Sequence, residues 1–192
     1  MTFCSFPSSA HTLSLQYLSR TRDYCITYRS LPEKTDFFCG YADAAYANAD
    51  LNRSITGYVF IAGDSAITWS SKRQISTALS SVQAEYVALS EASREACWLR
   101  NLYTELGWLK EDMLTVIKGD NDGSIAMAKN PKFHKQTKHI VVRWHWIREL
   151  VQEGTVEIDT CRDPDQTADI LTKALPRQKH TKHTIEMGLA PA

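Results

Sequence analysis

The chain has 192 residues, 43% hydrophobic and 23% charged, and its 22 basic and 22 acidic side chains cancel to a formal net charge of zero. That length suits one domain with a sizeable core and a short extra segment. The balance excludes a protein drawn as a whole to nucleic acid by its field, so any such binding must come from local patches; no apolar run reaches the length of a membrane span, since Asp64 interrupts the longest.

Residues 1–12 are Ser-rich, carry no period and are expected to be loose. Residues 1–20 lack the basic-then-apolar order of a signal peptide. A weak helical pattern, Leu15 and Leu18 with Tyr17, runs through 11–28, and the polar stretch 30–36 with Pro32 reads as a linker. The expected division is a leading segment 1–36, a compact domain 37–178 and a tail 179–192. The first strand is expected at 37–43, an apolar run that ends at Asp43. A turn region at 48–56 follows. Strands at 57–62 and 66–70 then flank Gly63-Asp64-Ser65, a hairpin signal.

The strongest helix is expected over 80–106. Val82, Tyr86, Leu89, Ala92, Ala96, Leu99, Tyr103 and Leu106 recur at helical spacing, a serine (Ser80 or Ser81) stands ready as N-cap, and Gly107 follows. Glu85 lies one turn from both Val82 and Leu89, on the face turned to the core, where a carboxylate is costly without a partner. Glu91 and Glu95 read as solvated acids. A strand at 114–119 runs into Asp120, a short helix at 124–129 stops at Asn130-Pro131, and a long helix over 137–153 shows Ile140, Trp144, Ile147 and Val151 on one face. A strand at 155–160 precedes a last helix capped by Asp165 and stopped by Pro176, with Asp169 in or just after its first turn. The basic tail beyond is expected to fray. The order β-β-β-α-β-α-α-β-α predicts an α/β fold, a mixed five-stranded sheet flanked by helices. Its first three strands would be antiparallel, with the later two joining the first in parallel.

Four acids are placed by this reading toward one point: Asp43 and Asp120 at strand ends, Glu85 on a core-facing helix stripe, and Asp169 at a helix start. Taken singly, a strand-end aspartate more often forms a turn or caps a helix, and Asp169 could serve the helix dipole alone. Taken together, crowded carboxylates repel unless a cation joins them. An all-oxygen set suits magnesium, and two such ions can activate a water and stabilise the leaving oxygen of a phosphodiester.

Several long segments carry a family resemblance in the right order: GYADAAYANADLNRSITGYVFIAGDSAITWSSKRQ, ALSSVQAEYVALSEASREACWLR, GDNDGSIAMAKNPKFHKQTKHIVVRWHWIREL and PDQTADILTKALP. Over about residues 37–178 the chain resembles the ribonuclease H domain that closes the Pol polyprotein of copia-type LTR retrotransposons. Its residues 11–28 resemble the end of the reverse transcriptase connection that precedes it. The resemblance implies an RNase H-like fold and cutting of the RNA strand of RNA–DNA hybrids with two Mg²⁺ ions, Mn²⁺ being able to substitute. It places the metal-binding acids at Asp43, Glu85, Asp120 and Asp169, with Asp43 between the two ions. Asp122-Gly123 stands where the family commonly has Gln-Ser, which is expected to add charge and flexibility beside Asp120. The polymerase, integrase and protease parts of such a polyprotein have no counterpart in these residues, so a fragment is expected, with a reverse transcriptase in trans as a partner. The rival expectation is a relic that binds nucleic acid or a polymerase without cutting.

Between 129 and 148 lie six Lys or Arg and three His with no acid. Lys132, Lys135, Lys138 and Arg143 are candidates to neutralise phosphates. Trp146, off the apolar stripe, is a candidate for nucleic-acid contact, as are Ser71, Lys72 and Gln74, with Ser70 beside them. His134, His139 and His145 lack the close cysteine pair of a zinc site. The five cysteines, at 4, 25, 39, 97 and 161, form no such pair either, which argues for a reducing compartment, cytosol or nucleus.

Overall fold

A computed structural model describes residues 9–28, 38–49, 52–109, 113–130 and 146–192. In chain order they form α1 (Ser9–Arg20), β1 (Tyr24–Ile26), β2 (Cys39–Ala49), β3 (Arg53–Ala62), β4 (Ser65–Arg73), α2 (Ser81–Glu105), β5 (Thr115–Gly119), α3 (Asp122–Lys129), α4 (Trp146–Gln152) and β6 (Val156–Thr160). Two 3₁₀ turns, Asp163–Asp165 and Thr167–Leu171, then lead to α5 (Arg177–Glu186) and β7 (Leu189–Pro191). The main sheet has five strands in the order β4-β3-β2-β5-β6. β2, β3 and β4 are antiparallel, whereas β5 joins β2 and β6 joins β5 in parallel. These are the strand directions expected of an RNase H-like α/β fold.

One face of the sheet is covered by α2. The Ser80 side chain caps it by accepting from the Gln83 amide at 3.2 Å, and Gly107 just beyond the helix takes φ +72°. The buried stripe Tyr86, Leu89, Ala92, Ala96 and Leu99 packs with Ala42, Ala44, Phe60 and Ile117 from the strands. Leu106, expected on that stripe, is exposed because it falls at the C-cap, beyond the end of the sheet-facing turns. Phe60 is fully buried at the centre, with ring centroids 5.9 Å from Phe38 and 6.2 Å from Tyr58. Large aromatic anchors of this kind dominate a core's energetics.

The opposite face is covered by the second 3₁₀ turn and α5. Val59, Ala66 and Met187 form a small cluster there with Tyr41, Ile61, Ile170, Leu171 and Leu189 against it. The tail expected to fray is therefore structured. Its apolar residues Met187 and Leu189 have a sheet face to cover, and β7 pairs antiparallel with β1, Cys25 opposite Ala190. The leading segment is tied in at the same place, where Ser65 Oγ donates to the Thr27 carbonyl at 2.5 Å and Tyr28 Oη to that of Ala66 at 2.9 Å. The last expected helix, capped by Asp165 and running to 175, is instead two tight 3₁₀ turns. Gln166 caps the second, its Oε1 accepting from the Ala168 amide. Of the long helix expected over 137–153, residues 137–145 lie outside the described residues. Among the described residues, no helix is long and apolar enough to cross a membrane.

Candidate carboxylate site

The site begins with strand register. Tyr41 on β2 pairs in parallel with Lys118 on β5. Side chains alternate along a strand, so two residues further on each chain returns to the same face, at Asp43 and Asp120. Here the expected first strand needs correcting. β2 does not end at Asp43 but continues to Ala49 against β3. Asp43 nonetheless stands past the end of β5, because the β2–β5 pairing stops at Tyr41.

On its other side Asp43 is paired with Gly57 of β3. A Cβ at Gly57 would lie 2.6 Å from Thr172 Cγ2 and 3.2 Å from the Ala168 carbonyl oxygen. The bare backbone is what lets the second 3₁₀ turn lie flat on the sheet beside Asp43. The fully buried Gln166 fixes that turn by donating Nε2 to the Ala42 carbonyl at 3.0 Å, and Ser71 Oγ donates to the Leu171 carbonyl at 2.6 Å. The turn delivers Asp169, which is fully buried. One carboxylate oxygen each from Asp43, Asp120 and Asp169 lies within 4.8 Å of the others.

Glu85, on the first turns of α2, is buried next to this trio without belonging to it. Burial pushes its carboxyl up to about 9, the charges of Asp43 and Asp120 push the same way, and the Ala44 backbone hydrogen bond opposes them. Asp43 is raised to about 6, by burial first; the Thr172 hydroxyl, which donates to its Oδ2, and the Lys173 ammonium hold it back. Asp120 is also raised, by burial and then by the charge of Asp169.

Two lysines enter the cluster. Lys173 Nζ is 2.8 Å from Asp169 Oδ1, at ion-pair distance without hydrogen-bond alignment, and 3.9 Å from Asp43 Oδ2. Lys179 of α5 donates to Asp169 Oδ2 and, at 3.1 Å, to Asp163 Oδ1. Burial pulls both ammonium groups down, but the carboxylates around them more than reverse it and hold both above their ordinary range.

No protein-family model matches the chain. It is 37% identical over 166 residues to the retrovirus-related Pol polyprotein from transposon TNT 1-94 of Nicotiana tabacum, a match covering 86% of this chain and 12% of that one. It is 34% identical over 192 residues to the corresponding polyprotein from transposon RE1 of Arabidopsis thaliana, covering 97% of this chain and 13% of that one. Over most of its length the chain is similar to a segment of these transposon Pol polyproteins. It spans only 12–13% of the length of these Pol relatives. Among solved structures it overlaps the N-terminal RNase H domain of a Mycobacterium tuberculosis protein, determined as a fusion with maltose-binding protein. That overlap has 13% identity and a TM-score of 0.48, over 77% of this chain and 95% of the other.

Of the four acids singled out from the sequence, three meet directly and Glu85 adjoins them. The other candidates fare differently. Gln74 is buried in the wall of a groove, where its Nε2 donates to Thr56 Oγ1 of β3 at 2.9 Å and to the Ala84 carbonyl of α2 at 3.0 Å. Ser71 is exposed, though its hydroxyl is engaged with Leu171. Lys72 is exposed and shares the wall of that groove with Thr56, Tyr58, Ser70 and Glu91. Lys132, Lys135, Lys138, Arg143 and the three histidines at 134, 139 and 145 lie outside the described residues. Trp146 is half-buried and packs against the core. Glu95 is not a solvated acid: α2 carries it over β3 and β4, where it accepts from Thr68 Oγ1 at 2.6 Å and Tyr58 Oη at 3.2 Å.

The Asp122-Gly123 pair does less than its charge suggests. Asp122 is exposed in the first turn of α3, where an acid suits the helix dipole, and it stands outside the trio. A Cβ at Gly123 would lie 3.0 Å from Val82 Cγ2, so the glycine marks close packing of α3 on α2 rather than slack. Thr172, Lys173 and Lys179 were not legible as site residues. Only Lys173 carried a signal, its i,i+4 spacing from Asp169.

Proposed function

We propose that this chain is a metal-dependent nuclease domain that hydrolyses the RNA strand of RNA–DNA hybrids. The observation that carries the reading is the trio of carboxylate oxygens from Asp43, Asp120 and Asp169 within 4.8 Å, with Glu85 buried beside them. Such a group is costly to bury ionised, as the raised Asp43, Asp120 and Glu85 show. A cation removes that cost, and a donor set made only of carboxylate oxygens fits Mg²⁺ or Mn²⁺ better than zinc. Asp43 would be shared between two ions, Glu85 and Asp120 would hold one, and Asp169 the other. Bound there, the ions would supply an activated water and a stabilised leaving oxygen.

The chain's own residues do the positioning. The Thr172 hydroxyl fixes the Asp43 carboxylate, Gln166 and Ser71 pin the turn that carries Asp169, and the sheet and α2 exclude water from behind. Lys72 is the exposed candidate for a backbone phosphate, together with Lys132, Lys135, Lys138 and Arg143, and discrimination of RNA from DNA would rest on 2′-hydroxyls and helix shape. A reverse transcriptase is the natural partner. The competing reading, a relic that binds without cutting, draws on one observation: lysines already pair with both oxygens of Asp169.

The discriminating experiment offers the protein four strand-labelled substrates with Mg²⁺: hybrid, duplex DNA, duplex RNA and single-stranded RNA. The expected outcome is cutting of the RNA strand of the hybrid at least tenfold faster than of any other. Equal cutting of duplex DNA would replace this reading with a DNA nuclease on the same fold, and binding of the hybrid without cutting would favour the relic.

A further inference from the structure

We propose that Lys173 and Lys179 are working parts of the carboxylate cluster: their ammonium groups occupy both oxygens of Asp169, so a divalent ion gains that carboxylate only by displacing a lysine. The proposal rests on the reading of the cluster as a metal site and concerns how that site fills. Lys173 reaches Asp169 Oδ1 from one turn further along the chain, and Lys179 reaches Oδ2 from α5. Asp169 itself has no solvent exposure through which a further ligand could approach from outside.

The two sides of the cluster differ. At Asp43 the Lys173 ammonium stands 3.9 Å away, beyond a hydrogen bond, so a first ion among Asp43, Glu85 and Asp120 meets no direct ammonium contact on that aspartate. At Asp169 the second ion must compete with two contacts. Both lysines can yield. Their side chains are 37% and 22% exposed, on flexible stems that keep the charged head near water. Lys179 has a second place to go, because it already touches the largely exposed Asp163 at 3.1 Å. Filling therefore proceeds in two steps, and the second is weakened by the lysine it displaces. The C-terminal segment 177–192, through Lys179, sets how strongly.

The test is calorimetric titration of Mg²⁺ into the full chain without nucleic acid, so that the readout is metal affinity rather than turnover. Lys179→Met, checked for folding by its melting temperature, is expected to tighten the weaker step about tenfold, roughly 1.4 kcal/mol. Lys179→Arg, which keeps the charge, is expected to leave that step close to wild type. If Lys179→Met does not fold, Lys173→Met carries the test with the same expected direction. Methionine variants whose weaker step is unchanged or weaker overturn the proposal and leave the metal-site reading standing. An Asp43→Asn variant that titrates like wild type, or no magnesium heat from any variant, removes the metal-site reading and this proposal with it.

Discussion

Asp43→Asn is expected to lower cleavage of an RNA–DNA hybrid by on the order of 10³-fold or more, about 4 kcal/mol of lost transition-state stabilisation. The size follows from position. Asp43 stands in the trio with Asp120 at the parallel edge and Asp169 on the 3₁₀ turn, and its Oδ2 accepts from the Thr172 hydroxyl. Asparagine keeps the shape and one oxygen that can accept from that hydroxyl, but it carries no charge to hold a cation. The fold should not suffer. The Asp43 carboxyl, raised to about 6, resists ionisation in the metal-free protein, and the neutral amide has no such penalty at higher pH. Cleavage and melting temperature, measured together, check both halves. A variant that melts at or above the metal-free wild type at pH 8 and does not cut matches the expectation; one that cuts at the wild-type rate contradicts it.

The metal-free protein is expected to lose stability as pH rises from about 4 to 9, and Mg²⁺ is expected to restore more at pH 8 than at pH 5. Asp43 stands at about 6 and Glu85 at about 9 in the folded chain, with Asp120 raised as well, each above its ordinary carboxylate value. A carboxyl raised by folding contributes its full stability below the unfolded value and loses it as pH climbs through the folded one. For Asp43 that window lies between about 4 and 6, and for Glu85 it extends to about 9. The shift at Asp43, about two units at 1.36 kcal/mol each, corresponds to a loss of roughly 3 kcal/mol at most. Lys173 and Lys179 are raised too, so their contribution is lost only above their already high values and does not enter this window. Thermal melts across the range, with EDTA or with Mg²⁺, give the comparison. A metal-free melting temperature that stays flat or rises between pH 5 and 9 would mean that the carboxylates are not crowded as described.

The sheet and α2 were legible because their signals are local. Apolar runs, a glycine hairpin, a serine cap and a clean helical stripe place the five strands and α2, though β2 runs six residues past its expected end and β3 begins four residues before its expected start, and Glu85 stands out as an acid on the wrong face. Asp120 follows β5 directly, whereas Asp43 lies inside β2, and the register Tyr41 to Lys118 brings the two together. The C-terminal layer was illegible for a physical reason. Residues 163–165 and 167–171 form 3₁₀ turns, the second held by Gln166 and Ser71 across the sheet, and the tail folds because β7 finds β1 from the other end of the chain. Contacts between residues so distant in sequence leave no periodicity to read. The same holds for Gln74 and Glu95, whose hydrogen-bond partners lie on other elements.

The most direct test of the central claim is a time course with a hybrid labelled on its RNA strand, run with the folded protein in Mg²⁺ and again in EDTA. RNA fragments are expected to accumulate only with the metal, while the DNA strand stays whole. A protein that binds the hybrid in Mg²⁺ and leaves its RNA strand intact would contradict the claim.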